Sequence, residues 1–426
     1  MNLSPDEPRG NTLPAAPGRL WRRVYFDHLA TAPLLPEVLE AMTPFLVEPL
    51  GSPSAAHAPG IRARDALALA RQQVATLIGA ASPLEIIFTS GGTEATNLAI
   101  KGAAFANAHR GRHLVVSAIE HPAVLKSVEF LEQHGFTCTR VPVDAEGSVA
   151  PEAVRAALTD QTILVAVQHA NYELGTLQPV AEIGRLAGER GIPFFVDATI
   201  SGGWVPIDVE ALGVDLLSLS PHRFHGPTGV GVLYRNRRGR LVPMQQGGPQ
   251  EGGRRAGVEN IPAIVGGGAA AALAGREMPG RTERTARLQR RLWDGLSAAV
   301  PCLTLNGPPP GPRRLGTVLN LSAEFIDGEA QVLLCDVHGI AIASGSTCVA
   351  RGSRVSPVLA AIGLPPVLAQ GNIVLSLGRE SSDADVDHFL AVYPERVVAK
   401  LRGMSPGWDD YRGGLVASVL SPSPDG

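Results

Sequence analysis

The chain has 426 residues, of which 45% are hydrophobic and 18% are charged, and its formal net charge is −3. This length is sufficient for two or three domains with packed cores. The near balance of 37 basic and 40 acidic side chains excludes a broad basic surface for nucleic acid or for an anionic membrane. No amino-terminal apolar stretch is typical of a signal peptide or a membrane span, and the four cysteines lack CxxC spacing, so we expect a cytoplasmic protein.

Short apolar runs alternate with helical patterns in the first half of the chain. The apolar runs predict buried strands at 85–89, 112–118, 163–168, 193–197 and 215–220. The helical patterns predict helices at 62–79, 93–106, 122–134 and 180–190. This alternation favours βαβ crossovers and a mostly parallel α/β sheet, in which ligands bind at the strand ends.

The second half of the chain predicts a smaller α+β domain. An Ala- and Gly-rich stretch at 266–280 precedes a predicted amphipathic helix at 281–300. Further strands are predicted at 316–321, 339–343 and 372–377, and further helices at 329–338 and 383–401. We therefore expect a disordered tail at 1–19, a large domain at 20–265 whose amino-terminal segment is able to pack on the small domain, a small domain at 266–420, and a tail at 421–426.

Polar residues at three predicted strand ends are candidates for ligand chemistry. Gly92 and Thr93 lie in a glycine turn before a helix, where backbone N–H groups and a hydroxyl bind an anion. An ordinary capped helix start has the same pattern. His121 is suited to stacking on an aromatic ligand, to moving protons or to capping the next helix. Asp197 is suited to pairing with a protonated ring nitrogen of a cofactor or to capping a turn.

Three more segments carry candidate residues. Cys348 lies in a loop of small residues near Arg351 and Arg354, which favour a reactive thiolate, whereas a buried cysteine is inert. Arg379 offers a guanidinium fork for a carboxylate or forms a surface ion pair. The most distinctive segment ends a predicted strand before the glycine-rich bend 226–231 and contributes Ser220, His222 and Arg223.

Taken in order, these motifs resemble those of the cysteine desulfurases, which are pyridoxal 5′-phosphate (PLP) enzymes of the class V aminotransferase family with the fold type I architecture. The resemblance covers residues 24–401, nearly the whole chain. It is carried by the segments 24–31, 51–54, 89–97, 119–121, 196–199, 220–231, 255–257, 344–348 and 376–379.

The resemblance implies a role for each candidate residue. Cys348 would take sulfur from substrate cysteine as a persulfide, and Arg379 would hold the substrate carboxylate. A homodimer and a sulfur-acceptor protein are the partners implied, and no metal is expected. The cofactor would be bound at its phosphate by Gly92, Thr93, Ser220 and His222, at its ring face by His121 and at its ring nitrogen by Asp197.

Four positions depart from the pattern that the resemblance implies. Arg223 stands where the family carries the lysine that forms a Schiff base with PLP, and a guanidinium with a pKa above about 12 forms no comparable bond. Tyr172 and Ile200 replace an asparagine and a glutamine that bond the ring oxygen, and Val258 replaces a threonine that reaches the phosphate across a dimer interface. Each lost bond to a charged group costs about 1.5 to 3 kcal/mol. We therefore expect no covalent PLP and weakened non-covalent binding.

Three functional hypotheses follow, in this order of preference. The first is a desulfurase-like protein without Schiff-base catalysis, which acts through Cys348 as a sulfur relay, a subunit or a regulator. The second is an active cysteine desulfurase or related amino-acid lyase that uses non-covalently bound PLP, with His121 or Tyr172 as the proton carrier. The third is a cavity repurposed for another small anionic ligand. The chain has only three lysines, at 101, 126 and 400, and none is predicted to replace the missing one.

Overall fold

The computed structural model describes residues 24–345 and 355–419. Its strands, in chain order, are β1 Val24–Tyr25, β2 Ile86–Thr89, β3 His113–Ser117, β4 Thr137–Val141, β5 Thr162–Ala166, β6 Phe194–Asp197, β7 Leu216–Leu219, β8 Gly231–Arg235, β9 Leu303–Leu305, β10 Val318–Ala323, β11 Ile340–Ala341 and β12 Asn372–Ser376. Its helices are α1 Pro36–Val47, α2 Ala58–Leu77, α3 Gly92–Asn107, α4 Pro122–Glu132, α5 Pro151–Ala157, α6 Val180–Glu189, α7 Gln250–Gly253, α8 Ile261–Ala299, α9 Gly328–Val337, α10 Pro357–Ala361, α11 Pro366–Gln370, α12 Asp383–Val392, α13 Lys400–Arg402 and α14 Pro406–Arg412.

The central sheet has seven strands in the order β2-β8-β7-β6-β5-β3-β4. Strands β4, β3, β5, β6 and β7 run parallel, and β8 pairs antiparallel with both β7 and β2. Every residue of β3, β5, β6 and β7 is buried, as the apolar runs predict for strands covered on both faces. The predicted mostly parallel α/β class is confirmed.

Two strands of the central sheet are absent from the sequence-based prediction. Strand β4 lies at the sheet edge with three of its five residues exposed, so its sequence lacks an apolar run. Strand β8 is buried except at its last residue. Its first residue, Gly231, is also the last residue of the glycine-rich bend, so no sequence signal marks where the bend ends and the strand begins. Its antiparallel pairing returns the chain between β7 and β2.

The helix predicted at 281–300 is the second half of a much longer helix, and this prediction is wrong in its start. Helix α8 runs unbroken for 39 residues from Ile261 and contains Pro279. Its first half is rich in Ala and Gly because it packs closely against two neighbouring helices. A Cβ on Gly268 would lie 2.6 Å from Ala70 Cα of α2, and one on Gly266 would lie 2.5 Å from Met42 Sδ of α1. The small residues here therefore serve helix packing.

A second group of elements forms around the antiparallel sheet β12-β10-β9. The amino-terminal strand β1 pairs in parallel with β11 here, and Phe26 joins the same buried cluster as Leu292 and Phe389. The helix predicted at 383–401 is interrupted, since π-helical turns at Tyr393–Ala399 separate α12 from α13. No helix within the described residues is long and apolar enough to cross a membrane.

Candidate cofactor and substrate site

The amino terminus of α3 forms one end of a cavity of about 410 Å³ at the carboxyl ends of the parallel strands. Strand β2 ends at Thr89, and the chain turns through Gly91 into the helix at Gly92. A Cβ on Gly92 would lie 2.2 Å from Ser220 Oγ and 2.8 Å from Thr199 Cγ2, so a glycine is required here. The structure brings together around this cavity Gly92, Thr93, His121, Asp197, Ser220, His222 and Arg223.

Asp197 is the last residue of β6, and its carboxylate is held in one orientation. Its Oδ1 accepts hydrogen bonds from the Thr199 backbone N–H at 2.9 Å and from the Ser218 hydroxyl at 3.1 Å. Ser218 Oγ accepts in turn from Thr96 Oγ1 at 3.3 Å. A buried carboxylate oriented in this way is suited to a cationic partner such as a protonated ring nitrogen.

His121 caps a helix, as one of its predicted roles requires, and it also lines the cavity. Its Nδ1 accepts from the Ala123 backbone N–H at 3.1 Å at the start of α4. Because that bond uses the Nδ1 lone pair, the neutral ring carries its hydrogen on Nε2. Burial lowers the pKa of His121, Asp197 opposes that shift, and Arg223 adds to it. The imidazole meets the Tyr172 ring edge-on, with 5.2 Å between ring centroids.

Ser220, His222 and Arg223 reach the cavity from the 3₁₀ turn Pro221–Phe224, which follows β7. The His222 carbonyl accepts from the Ala32 backbone N–H at 2.9 Å, which ties this turn to the amino-terminal segment. Burial, together with the neighbouring Arg223 charge, lowers the pKa of His222 to about 4. Above that pH the imidazole is neutral and is able to donate one hydrogen bond to an anion.

A second cavity, of about 530 Å³, adjoins the first, and Arg223 and His121 line both. The second cavity has two kinds of lining that sequence reasoning missed. Carboxylates are contributed by Asp27, Glu173 and Glu329, and apolar side chains by Leu29, Val332, Leu333, Ile342 and Val374. Glu173 could have been identified because it directly follows Tyr172, a predicted site residue that also lines this cavity.

Glu173 connects the two chain segments on either side of residues 346–354. Its Oε2 accepts from the Ser356 hydroxyl at 2.6 Å, and a Cβ on Gly345 would lie 2.3 Å from its Oε1. Burial raises the pKa of Glu173 to about 7, although the Ser356 bond opposes the rise. Cys348 belongs to 346–354, which lies outside the described residues, so its predicted role stays a prediction.

Three of the predicted residues lie away from both cavities. Ile200 is buried in an apolar cluster that includes Trp204 and Leu315. Val258 is 82% exposed. Arg379 forms a bidentate ion pair with Glu277, with Nε and Nη2 each 2.8 Å from a carboxylate oxygen. Of the two interactions considered for Arg379, the structure contains the ion pair.

No lysine is among the described residues that line either cavity. Lys101 lies over the Phe130 ring, 4.3 Å from its centroid, and Lys126 pairs with Glu129 at the surface. Lys400 begins α13. Within residues 24–345 and 355–419, no cluster of His, Cys, Asp and Glu has the geometry to hold a metal ion.

The fold and this cleft define a PLP-dependent fold type I architecture. Residues 24–389 match the family described as aminotransferase class-V, and the chain belongs to that family. It is 44% identical over 390 residues to a cysteine desulfurase IscS of Clostridium botulinum (strain Hall), covering 92% of this chain and 98% of the relative. It is 46% identical over 385 residues to a cysteine desulfurase IscS of Methanosarcina thermophila, covering 90% and 94%.

Solved structures agree with these relatives. A NifS-like protein superposes with a TM-score of 0.82 at 35% identity, over 88% of this chain and 99% of that one. An apo cysteine desulfurase from Thermococcus onnurineus NA1 superposes with a TM-score of 0.79 at 27% identity, over 88% and 95%. The architecture of the family is therefore present across nearly the whole described chain.

Proposed function

We propose that this chain is a cysteine desulfurase of a variant type, which binds PLP without a covalent bond and transfers sulfur from cysteine to Cys348. In the overall reaction the Cys348 thiol and free cysteine give a Cys348 persulfide and alanine, so atoms and electrons balance. The observation that carries the proposal is the single cavity that gathers seven predicted site residues. The cysteine desulfurase relatives support the same activity. This places the active-desulfurase hypothesis ahead of the relay hypothesis that the sequence favoured.

The residues of the first cavity fit PLP as a non-covalent ligand. Because Gly92 lacks a Cβ, the Ser220 hydroxyl and Thr199 lie directly against the start of α3. The Thr93 and Ser220 hydroxyls and neutral His222 line the cavity and are suited to bind the phosphate. The Asp197 carboxylate would hold the ring nitrogen. When bound, PLP supplies an electron sink for chemistry at the carbons of an amino-acid substrate.

Covalent attachment does not fit the residues that are present. The resemblance implies a lysine directly after His222, and this chain has Arg223. A guanidinium keeps its proton throughout the physiological pH range, so it provides no neutral amine to attack the PLP aldehyde. The cofactor would then be retained by its phosphate and ring contacts alone.

The proton transfers that a lysine would perform need another group, and we assign them to Tyr172. His121 donates from Nε2 when neutral, and its Nδ1 lone pair is already used by the Ala123 backbone N–H. It therefore has no lone pair with which to accept a proton from a substrate. Tyr172 packs against His121 and presents its side chain to the second cavity. We propose that its hydroxyl accepts the substrate proton while it releases its own proton to solvent, so the hydroxyl stays neutral and turnover falls in Tyr172→Phe.

The test is sulfide and alanine release from L-cysteine by the full chain with added PLP and a thiol reductant. We expect equal amounts of both products, dependent on PLP, and no sulfide from Cys348→Ser. The matched control is Cys138→Ser, because burial raises the pKa of the Cys138 thiol to about 11 and keeps it unreactive. No alanine at any PLP concentration would reject the proposal.

A second candidate is a sulfur relay, subunit or regulator without lyase activity. Two observations favour it. Arg223, and not a lysine, lines the first cavity, and Ile200 is buried in an apolar cluster, where it makes no hydrogen bond to a cofactor. In that case Cys348 accepts sulfur from a persulfide donor, and no alanine is formed from cysteine. A third candidate is another small anionic ligand in the first cavity, which a thermal-shift screen detects because a bound ligand raises stability.

The setting of the reaction is also proposed. We expect a homodimer in the cytoplasm that passes sulfur to an acceptor protein. The resemblance to the cysteine desulfurases is the basis for this expectation.

A further inference from the structure

Arg223 lies where the two cavities meet, and its backbone is held on both sides. Its amide N–H donates to the Ser220 carbonyl at 3.0 Å, and its own carbonyl accepts from Trp204 Nε1 at 3.0 Å. Trp204 is buried, so the second bond is shielded from water. The point from which the guanidinium extends is therefore fixed, and the side chain lines both cavities.

The second cavity has the charge pattern of an amino-acid site. Arg223 is the one arginine or lysine among the described residues that line it, and Asp27, Glu173 and Glu329 supply carboxylates. Asp27 and Arg223 line the same cavity. Burial raises the pKa of Asp27, and a hydrogen bond from the Ala30 backbone N–H and the Arg223 charge both oppose that rise. An α-amino acid carries a carboxylate and an ammonium group on one carbon atom and matches such a pair of charges.

Two other arginines near the cleft lie outside the lining of the second cavity. Arg379 forms its bidentate pair with Glu277 and lines neither cavity. Arg255 pairs with Glu94 at 3.0 Å and is absent from the lining of the second cavity. Neither guanidinium is positioned to meet a ligand in that cavity.

We propose that Arg223 binds the carboxylate of an α-amino acid in the second cavity, with Asp27 receiving its ammonium group. The apolar wall that includes Leu29, Ile342 and Val374 then selects a small uncharged side chain. A planar guanidinium binds a carboxylate through two parallel hydrogen bonds, which a lysine at this position would not reproduce. This inference takes its substrate class from the proposed function. It also assigns a binding role to the arginine that replaces the family's lysine at residue 223.

The test measures binding, so it does not depend on turnover. The PLP-loaded full chain is titrated with L-alanine and with ethylamine, which lacks the carboxylate, in a calorimeter. We expect Arg223→Met to weaken alanine binding about ten- to a hundredfold, as for the loss of a charge-assisted hydrogen bond, and to leave ethylamine binding within about twofold.

The matched control is Arg240→Met, which removes an exposed arginine that lines a separate cavity with Asn107 and Asp215. Thermal unfolding of each variant reports that it is folded. Unchanged alanine affinity in Arg223→Met, equal losses for alanine and ethylamine, or no alanine binding by the wild type would each overturn the inference. Alanine binding that depends on Arg223, without sulfide release from cysteine, would reject the desulfurase proposal alone.

Discussion

The two ends of the cleft are built in different ways. At the anion end, the turn from β2 into α3 and the hydroxyl of Ser220 create a cradle whose shape depends on backbone geometry and on Gly92. At the opposite end, Arg223, Tyr172 and the carboxylates of the second cavity act through individual side chains.

This difference indicates where we expect the chain to keep the family's chemistry and where we expect it to depart. A cradle of backbone N–H groups survives changes of side chain, because every non-proline residue carries the donor. A site formed by individual side chains changes its chemistry with a single substitution. We therefore expect PLP affinity to depend mainly on the anion end and reactivity mainly on the end near Arg223.

Closing the cradle should have the largest effect on ligand affinity. In Gly92→Val the new side chain collides with Ser220 Oγ and Thr199, so the Ser220 hydroxyl is displaced from the cradle and the start of α3 shifts. We expect PLP affinity, measured by fluorescence titration, to fall about a hundredfold, equivalent to about 3 kcal/mol. In the control Gly91→Ala, a Cβ meets nothing within 4 Å, and affinity should be retained. Equal losses in the two variants would contradict the cradle.

A buried acid behind the anion end should make stability fall as pH rises. Burial raises the pKa of Glu120 from 4.5 to about 8, against hydrogen bonds from Ser117 and from the Gln168 backbone N–H. The folded chain therefore keeps a proton that the unfolded chain releases above pH 4.5. Stability from this group is fully present below pH 4.5 and is lost as pH rises through about 8.

Glu120→Gln should remove this dependence. From pH 5 to pH 6.5, we expect the variant to gain on the order of 2 kcal/mol in unfolding free energy relative to the wild type. Urea unfolding at three pH values measures it. Glu129→Gln, which changes the exposed partner of Lys126, is the control and should show no such trend. A constant difference between Glu120→Gln and the wild type would contradict the buried proton.

Replacing Ile200 tests whether restoring the glutamine that the resemblance implies at this position strengthens PLP binding. Its side chain is 5% exposed in an apolar cluster and lines neither cavity. Ile200→Gln should lower the unfolding free energy by about 2 kcal/mol, since the new amide enters an apolar environment, and should leave PLP affinity within about twofold. A clear gain in PLP affinity would show that the position still serves the cofactor. Ile200→Val controls for packing.

Thr93 should have the smallest effect of these changes. Thr93→Ala removes one hydroxyl from the cradle and leaves the backbone donors in place, so PLP affinity should fall about tenfold, or about 1.4 kcal/mol. Thr93→Ser keeps the hydroxyl and should bind as the wild type does. A loss as large as that in Gly92→Val would mean that the side chain, and not the backbone, forms the cradle.

Much of the fold could be predicted from local patterns because its parallel strands are buried on both faces. The runs that became β3, β5, β6 and β7 are continuous and apolar, and periodicity located the helices that connect them. The start of α8 could not be predicted, since the Ala and Gly residues at 266–280 are explained only by the close packing of α8 against α1 and α2. The edge strand β4 likewise depends on its pairing with β3.

The candidate site could be predicted at its anion end and only partly elsewhere. The glycine turn, His121, Asp197 and the 220–223 segment are continuous motifs, and the structure brings them to one cavity. Asp27 and Glu173 come from distant parts of the chain, so their meeting in the second cavity depends on tertiary contacts. Arg379 has a suitable motif, but its ion pair with Glu277 joins residues 102 positions apart, which no local pattern reveals.

The central claim is that this chain retains a PLP-type cleft without a covalent anchor, because a guanidinium stands where a neutral amine is needed. The most direct measurement is the intact mass of the wild-type chain after incubation with PLP and reduction with borohydride. The account predicts no mass increase for the wild type and a single PLP adduct, located at residue 223, for Arg223→Lys. A reduced adduct on any side chain of the wild type would contradict it.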